Sequence, residues 1–332
     1  MHVLVTGSAG FIGPFLIRKL AERGHTVRGV DRATTMDGLP LATSVVGDLA
    51  NPEVAREAVR GVERIYHLAA ARGDWGISEE KYYHDNVKAT QSLIEAGRKA
   101  GIRDWIFYST VSTMGSSDVP LDEGAELQSK IPYGRTKAQA ERLFQTLAAE
   151  DPGCRILVVR PSAVYGPENP PDTNIYRLID AIYNRRFAMV GSGQTLKSTS
   201  YIENLLAATF FLVERMERGL QTYIYVDEPV LTTETLVTRI YKILGKTPPS
   251  LYIPLSLAGT IAKVSDVAAE FINIDFPITA ARIEKFNRST NFDASKIRRE
   301  GFKQPVSNEE ALRRTVDWHL HNEYGASLPK DA

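Results

Sequence analysis

Short apolar runs alternate with amphipathic stretches through the first half of the chain. HVLVTG reads as a strand, FIGPFLIRKLAERGH as a helix closed by Gly24, and TVRGVDR as a second strand. PEVAREAVRG follows as a helix opened by Pro52, VERIYHLAA as a strand, and YHDNVKATQSLIEAGRKAG as one long helix. RDWIFYST is a strand, the segment from Tyr133 to Glu150 a helix, and CRILVVR a strand. Strands separated by helices predict a parallel sheet covered on both faces, the doubly wound α/β class, with ligands at the carboxyl ends of the strands.

The second half is less regular. Four prolines in RPSAVYGPENPPDT mark a loop, after which a helix begins at NIYRL and the chain continues through a turn into another. Leu257, Ile261, Val264, Ala268 and Phe271 recur at helical spacing and predict a helix from about Pro254 to Phe271 with one buried face. Lys263, Asp266 and Glu270 interrupt it, which argues against a membrane span.

Composition narrows the function classes more than it names one. The chain has 332 residues, and its 40 basic residues balance 40 acidic ones, so no overall field favours nucleic acid or a membrane surface. Cys154, the single cysteine, cannot form an intramolecular disulfide, and with no leader pattern the cytoplasm is the expected compartment. His319 and His321 are expected on a solvated terminal helix, His67 in a structural role, and no metal site is expected.

Three glycines carry the first chemical signal. In VTGSAGFIG, Gly7 allows a sharp turn from strand to helix, Gly10 lets the backbone approach a phosphate, and Gly13 lets the helix pack closely on the strand. Asp31, ending the second strand, suits a ribose diol and repels a 2'-phosphate, which favours NAD over NADP; the neighbouring Arg32 argues the other way. Tyr133 and Lys137 lie four apart at a helix start, so both leave one face and an ammonium can favour the phenolate. Ser109, Thr110, Ser112 and Thr113 offer hydroxyls at the end of the fourth strand.

Taken together, these motifs resemble the extended short-chain dehydrogenase/reductases, the NAD-dependent epimerase/dehydratase family. VTGSAGFIG, GDL at Gly47 to Leu49, HLAA at His67 to Ala70, YGRTK, RPSAVYGP and FDASKIRREGF fall in that family's order. The resemblance implies a Rossmann-type NAD domain over residues 1–168, with a return segment at about 200–233. It implies a smaller, partly interleaved substrate lobe at 169–199 and 234–332. NAD contacts then fall to Gly7, Gly10, Phe11, Ile12, Gly13, Asp31, Arg32, Asp48, Leu49, Leu68, Ala69, Ala70, Tyr133 and Lys137, with Asn86 supporting the central helix and active site. Tyr133, Lys137 and Thr110 are the implied catalytic residues. Ser112, Asn174, Lys197 and Arg72 are the implied substrate contacts, and a homodimer through the two long helices is the family expectation.

Two departures matter. Nucleotide-sugar 4,6-dehydratases of this family carry an Asp-Glu pair directly after the threonine, where this chain has Val111 and Ser112, so elimination of water is not expected. Many nucleotide-sugar epimerases have an asparagine where this chain has Ala163. The expected function is therefore an NAD-dependent nucleotide-sugar epimerase, with C4 of a UDP-type sugar as reacting position. One alternative is a dehydrogenase/reductase of a nucleotide sugar or of a 3β-hydroxysteroid-like alcohol. Another, a nucleotide-binding sensor or scaffold, fits poorly with a retained Thr110, Tyr133 and Lys137.

Overall fold

Six strands of the first half lie parallel in one sheet: β1 (His2–Thr6), β2 (Thr26–Asp31), β3 (Thr43–Val46), β4 (Arg64–His67), β5 (Asp104–Tyr108) and β6 (Arg155–Pro161). Four short strands follow, β7 (Ala163–Tyr165), β8 (Met189–Val190), β9 (Leu196–Lys197) and β10 (Thr199–Tyr201). The chain then returns as β11 (Gly219–Tyr225), hydrogen-bonded along the whole of β6. The seven-stranded order is β11-β6-β5-β4-β1-β2-β3, a doubly wound α/β sheet. The computed structural model describes residues 1–73, 76–115, 117, 119–249, 252–256, 289–326 and 328.

Strand geometry explains why the runs are apolar throughout. Successive side chains point to opposite faces, and both faces are covered. Val3, Val5, Tyr66, Ile106, Tyr108, Leu157 and Val159 fall in one core with α1 (Ile12–Glu22). Their neighbours Leu4, Ile65, Trp105, Phe107, Ile156 and Val158 fall in the other, with α2 (Pro52–Ala58). Asn51 caps α2 by accepting from the Glu53 N–H at 2.9 Å.

The long helix expected from YHDNVK onward is interrupted. It consists of α3 (Glu79–Tyr83), a π-helical turn at His84–Lys88, and α4 (Ala89–Lys99). The wider turn brings Asp85, Asn86 and Val87, three successive residues, all to the buried side. β3 was not foreseen, because it is an edge strand with only Val45 buried. Leu257, Ile261, Val264, Ala268 and Phe271 lie outside the described residues, as do Asp74 and Trp75.

The remaining elements are α5 (Pro132–Glu150), α6 (Asn174–Tyr183), α7 (Ile202–Val213), β12 (Leu231–Thr232), α8 (Thr233–Ile243), β13 (Tyr252–Ile253), α9 (Ser295–Arg299) and α10 (Asn308–Tyr324). α6, α8 and α10 add Ile179, Ile240, Leu312, Val316 and Leu320 to the same core as β1 and α1. His319 is not on a solvated face: it is buried, with its ring edge-on to Tyr176 at 4.5 Å, and burial lowers its pKa. Its partner in the pattern, His321, is exposed. No helix among the described residues is long and apolar enough to cross a membrane.

Candidate active site

The turn between β1 and α1 has room for backbone alone. Gly7 has φ +69°, and a Cβ there would lie 2.9 Å from the Ala69 nitrogen; one on Gly13 would lie 2.8 Å from the Ser8 carbonyl oxygen. Phe11 caps α1 without a side-chain hydrogen bond, and the first turn of α1 holds no acidic residue. Its orphan N–H groups and dipole therefore suit an anion such as a pyrophosphate. At the end of β2, the Asp31 carboxylate accepts from the Ala9 N–H at 3.0 Å and the Ala33 N–H at 3.1 Å. These features fit NAD: the glycine turn and α1 for the pyrophosphate, Asp31 for the ribose.

Arg32, which argued for NADP in the sequence, is committed elsewhere. Its guanidinium grips Asp85 with both arms, Nη1 donating to Oδ2 at 2.7 Å and Nη2 to Oδ1, while Nη2 also donates to Asp48 at 3.1 Å. Asp48 thus carries an ion pair besides accepting from the Ala50 N–H at 2.9 Å. Leu49 is buried, while Phe11, Ile12, Leu68, Ala69 and Ala70 line the neighbouring turns half-buried.

A hydroxyl relay sets the strand ends. Thr6 Oγ1 accepts from the Leu68 and Ala69 N–H groups at 3.1 and 3.0 Å, so its own proton points to His67 Nδ1 at 2.7 Å. The network then places the imidazole proton on Nε2, donating to Thr90 Oγ1 at 2.9 Å, and Thr90 donates to the Asn86 carbonyl at 2.6 Å. Burial, with Lys137 nearby, drops His67 to about 3, so it is a neutral structural link. Asn86 continues the chain: its amide receives the Ala71 N–H at 2.7 Å and donates to the Ala71 carbonyl and to Thr136 Oγ1 at 3.2 and 2.9 Å. It ties the loop after β4 to α5.

The reacting groups meet where that loop, the end of β5 and the start of α5 converge. Thr110 Oγ1 accepts from the Ser112 N–H at 3.1 Å, which leaves its proton free to act on the neighbouring Tyr133 phenol. Burial pushes Tyr133 up to about 12, opposed by the Arg72 charge and by Thr110. Gly134 lets the start of α5 lie close against Ser129, since a Cβ there would lie 2.6 Å from Ser129 Cβ. Ser109 and Thr113 face away, Ser109 donating to Glu141 and Thr113 to the Thr110 carbonyl at 2.8 Å. Ser112 is half-buried two residues beyond Thr110.

Lys137 is arranged differently from expectation. It is buried, its Nζ donates to the Tyr108 carbonyl at 2.7 Å, and it lies 4.0 Å from the centre of the Phe107 ring. Burial pulls its pKa down to about 7, against the pull of Glu141 one turn on. Glu141 is itself held by Arg160, whose Nη2 donates at 2.7 Å within a buried pair. Arg72 also acts on the Tyr133 phenol, lowering its pKa, and pairs with Asp172 at 3.3 Å.

Asn174 opens α6 two residues beyond Asp172, and both are exposed. Lys197 lies in β9, half-buried and paired with Leu231 of β12. Asp85, Asp172 and the Glu141–Arg160 pair were missed by sequence reasoning. Glu141 alone had a signal, being four residues beyond Lys137 and eight beyond Tyr133 on one helical face. Among the described residues no group of three His, Cys, Asp or Glu side chains is placed to hold a metal.

Comparison with known proteins is consistent across sequence and structure. The family model described as NAD dependent epimerase/dehydratase matches residues 3–226. N-acetyl-alpha-D-glucosaminyl-diphospho-ditrans,octacis-undecaprenol 4-epimerase of Escherichia coli O157:H7 is 28% identical over 320 residues, covering 96% of this chain and 95% of that protein. 2-Alkyl-3-oxoalkanoate reductase of Stenotrophomonas maltophilia is 30% identical over 332 residues, covering 95% and 98%. The structure of MoeE5 in complex with UDP-glucose and NAD superposes with a TM-score of 0.77 at 26% identity, covering 97% of this chain and 100% of that one.

Proposed function

The chain belongs to the NAD-dependent epimerase/dehydratase family, and we propose that within it the protein is a cytoplasmic nucleotide-sugar epimerase acting at C4 of a UDP-type sugar. It is an NAD-dependent enzyme of the extended short-chain dehydrogenase/reductase type. The observation that carries the finer reading is the Thr110–Tyr133 pair with Val111 and Ser112 beside it: one proton-handling phenol, and no carboxylate at the positions that would eliminate water.

Bound NAD supplies the hydride acceptor and, on return, the hydride donor. Gly7, Gly10 and Gly13 would hold its pyrophosphate against α1, and Asp31 would hold the adenosine ribose diol. The Tyr133 phenolate takes the proton of the sugar hydroxyl as hydride leaves, and the resulting phenol gives it back to the same oxygen as hydride returns, so Tyr133 ends each turnover as the phenolate it began. Thr110 donates to that oxygen in both directions and keeps the reacting carbon beside Tyr133. Arg72 favours the phenolate against the burial that disfavours it. Lys137, its Nζ held on the Tyr108 carbonyl, would bind the nicotinamide ribose and favour the Tyr133 phenolate. Ser112, Asn174 and Lys197 complete the substrate side of the proposal. A homodimer through α4 and α5 belongs to it too, supported by Tyr83 and Ile131, which are exposed next to those helices.

Incubation with UDP-hexoses, followed by proton NMR of the anomeric signals, tests the reading. The wild type interconverts C4 epimers with no net change in nicotinamide absorbance. Tyr133→Phe slows this by roughly a hundredfold or more with unchanged circular dichroism. A specific observation favours a second reading, reversible oxidation of a single secondary alcohol. Ala163 presents only a methyl group at the exposed start of β7, and one relative of 30% identity is a reductase. Stoichiometric NADH formation with a free alcohol, and no epimer from any UDP-hexose, would establish that reading instead.

A further inference from the structure

An arginine at the end of the second strand is a side chain with which dinucleotide folds accommodate a 2'-phosphate. Arg32 occupies that place directly after Asp31, yet its guanidinium is occupied by two carboxylates. Asp85 takes both arms of the fork, the geometry in which arginine and carboxylate bind most strongly. Asp85 is 7% exposed at its side chain and is also reached by Lys81 Nζ at 3.1 Å and His84 Nδ1 at 3.0 Å. Burial alone would raise its pKa; its partners hold it well below the usual carboxylate range instead.

A 2'-phosphate could use Arg32 only by displacing Asp85, leaving a buried carboxylate without its strongest partner. The π turn makes this arrangement possible. Asp85 must face inward to hold Arg32, and its neighbour Asn86 must face inward to hold Ala71 and Thr136.

We propose that Asp85 is a cofactor-specificity residue: by holding Arg32 from the π turn, it withdraws the cation beside Asp31 that would otherwise favour NADP. Asp31 repels the 2'-phosphate directly, and Asp85 removes the charge that would compensate. The inference rests on the placement of the adenosine ribose at Asp31 given above.

The test is equilibrium binding of NADH and NADPH, by nicotinamide fluorescence and by calorimetry, with no turnover required. In Asp85→Asn, NADPH affinity is expected to rise roughly tenfold while NADH affinity stays within about threefold. Asp85→Asn combined with Arg32→Met is expected to lose that gain. An unchanged NADPH-to-NADH ratio in Asp85→Asn, or a gain that persists without Arg32, would overturn the proposal. If Asp85→Asn fails to fold by circular dichroism, Arg32→Met alone decides: a guanidinium already withdrawn gives nothing to NADPH, so the NADPH-to-NADH ratio should not fall, and a selective loss of NADPH affinity rejects the idea. Asp31→Ala tests the ribose placement separately, because full NADH affinity there would reject that placement whatever Asp85 does.

Discussion

Tyr133 receives opposite instructions from its surroundings. Burial pushes the phenol up to about 12, while Arg72 and Thr110 act to lower it. Removing the cation must therefore raise the pKa. In Arg72→Met the rising limb of kcat/KM against pH is expected to move to higher pH, with a slower rate at neutrality. Asp172→Asn, which releases Arg72 from its partner, is expected to move the limb the other way; rate profiles from pH 6 to 10 check both signs. Lys137 gives a stability counterpart. Its folded pKa is about 7 against a usual 10.5, so between those values the unfolded chain binds more protons and stability rises with pH. Denaturant unfolding across that window should show the slope in the wild type and lose it in Lys137→Met. The glycines, Asp31, Thr110, Tyr133 and Lys137 could be proposed from the sequence because each sits in a local motif, at a fixed spacing or at a place the family resemblance implies. Arg32–Asp85 and Arg72–Asp172 were not, because their partners are 53 and 100 residues apart and only the fold brings them together.

Elements differ in how much of themselves they write into the chain. Strands buried on both faces, such as β5, read as continuous apolar runs, and α5 announces itself by its length and Pro132. β3, with one buried residue, and the two-residue strands β8, β9, β12 and β13 leave no periodic trace. The π turn was invisible for another reason: one extra residue in a helix does not change its composition. Element placement also governs the site through Gly134, against which Ser129 packs at the start of α5. Gly134→Ala is expected to cost about 1–3 kcal/mol of stability, as overpacking does, and to lower kcat by moving Tyr133 off Thr110. NADH affinity, set largely at the other end of the site, should change little. Thermal melts, turnover and a binding titration on one preparation separate these effects.

At the scale of the whole molecule, the late helices are structural members of the same body as the nucleotide-binding sheet. Ile297, Leu312, Val316 and Leu320 share a core with Val3, Leu16 and Tyr66, and Asn204 on α7 pairs with both N–H and carbonyl of Val306 at 2.9 Å. A chain cut after Gly301 would expose the surface that α10 covers. It is expected to lose cooperative unfolding and NADH binding together, as calorimetry and fluorescence would show. The same return of the chain, out after β7 and back as β11, has a consequence for how such a protein changes over generations. Exchanging the whole of the proposed substrate lobe, residues 169–199 with 234–332, between two related genes while β11 stays with its own sheet therefore takes more than one crossover.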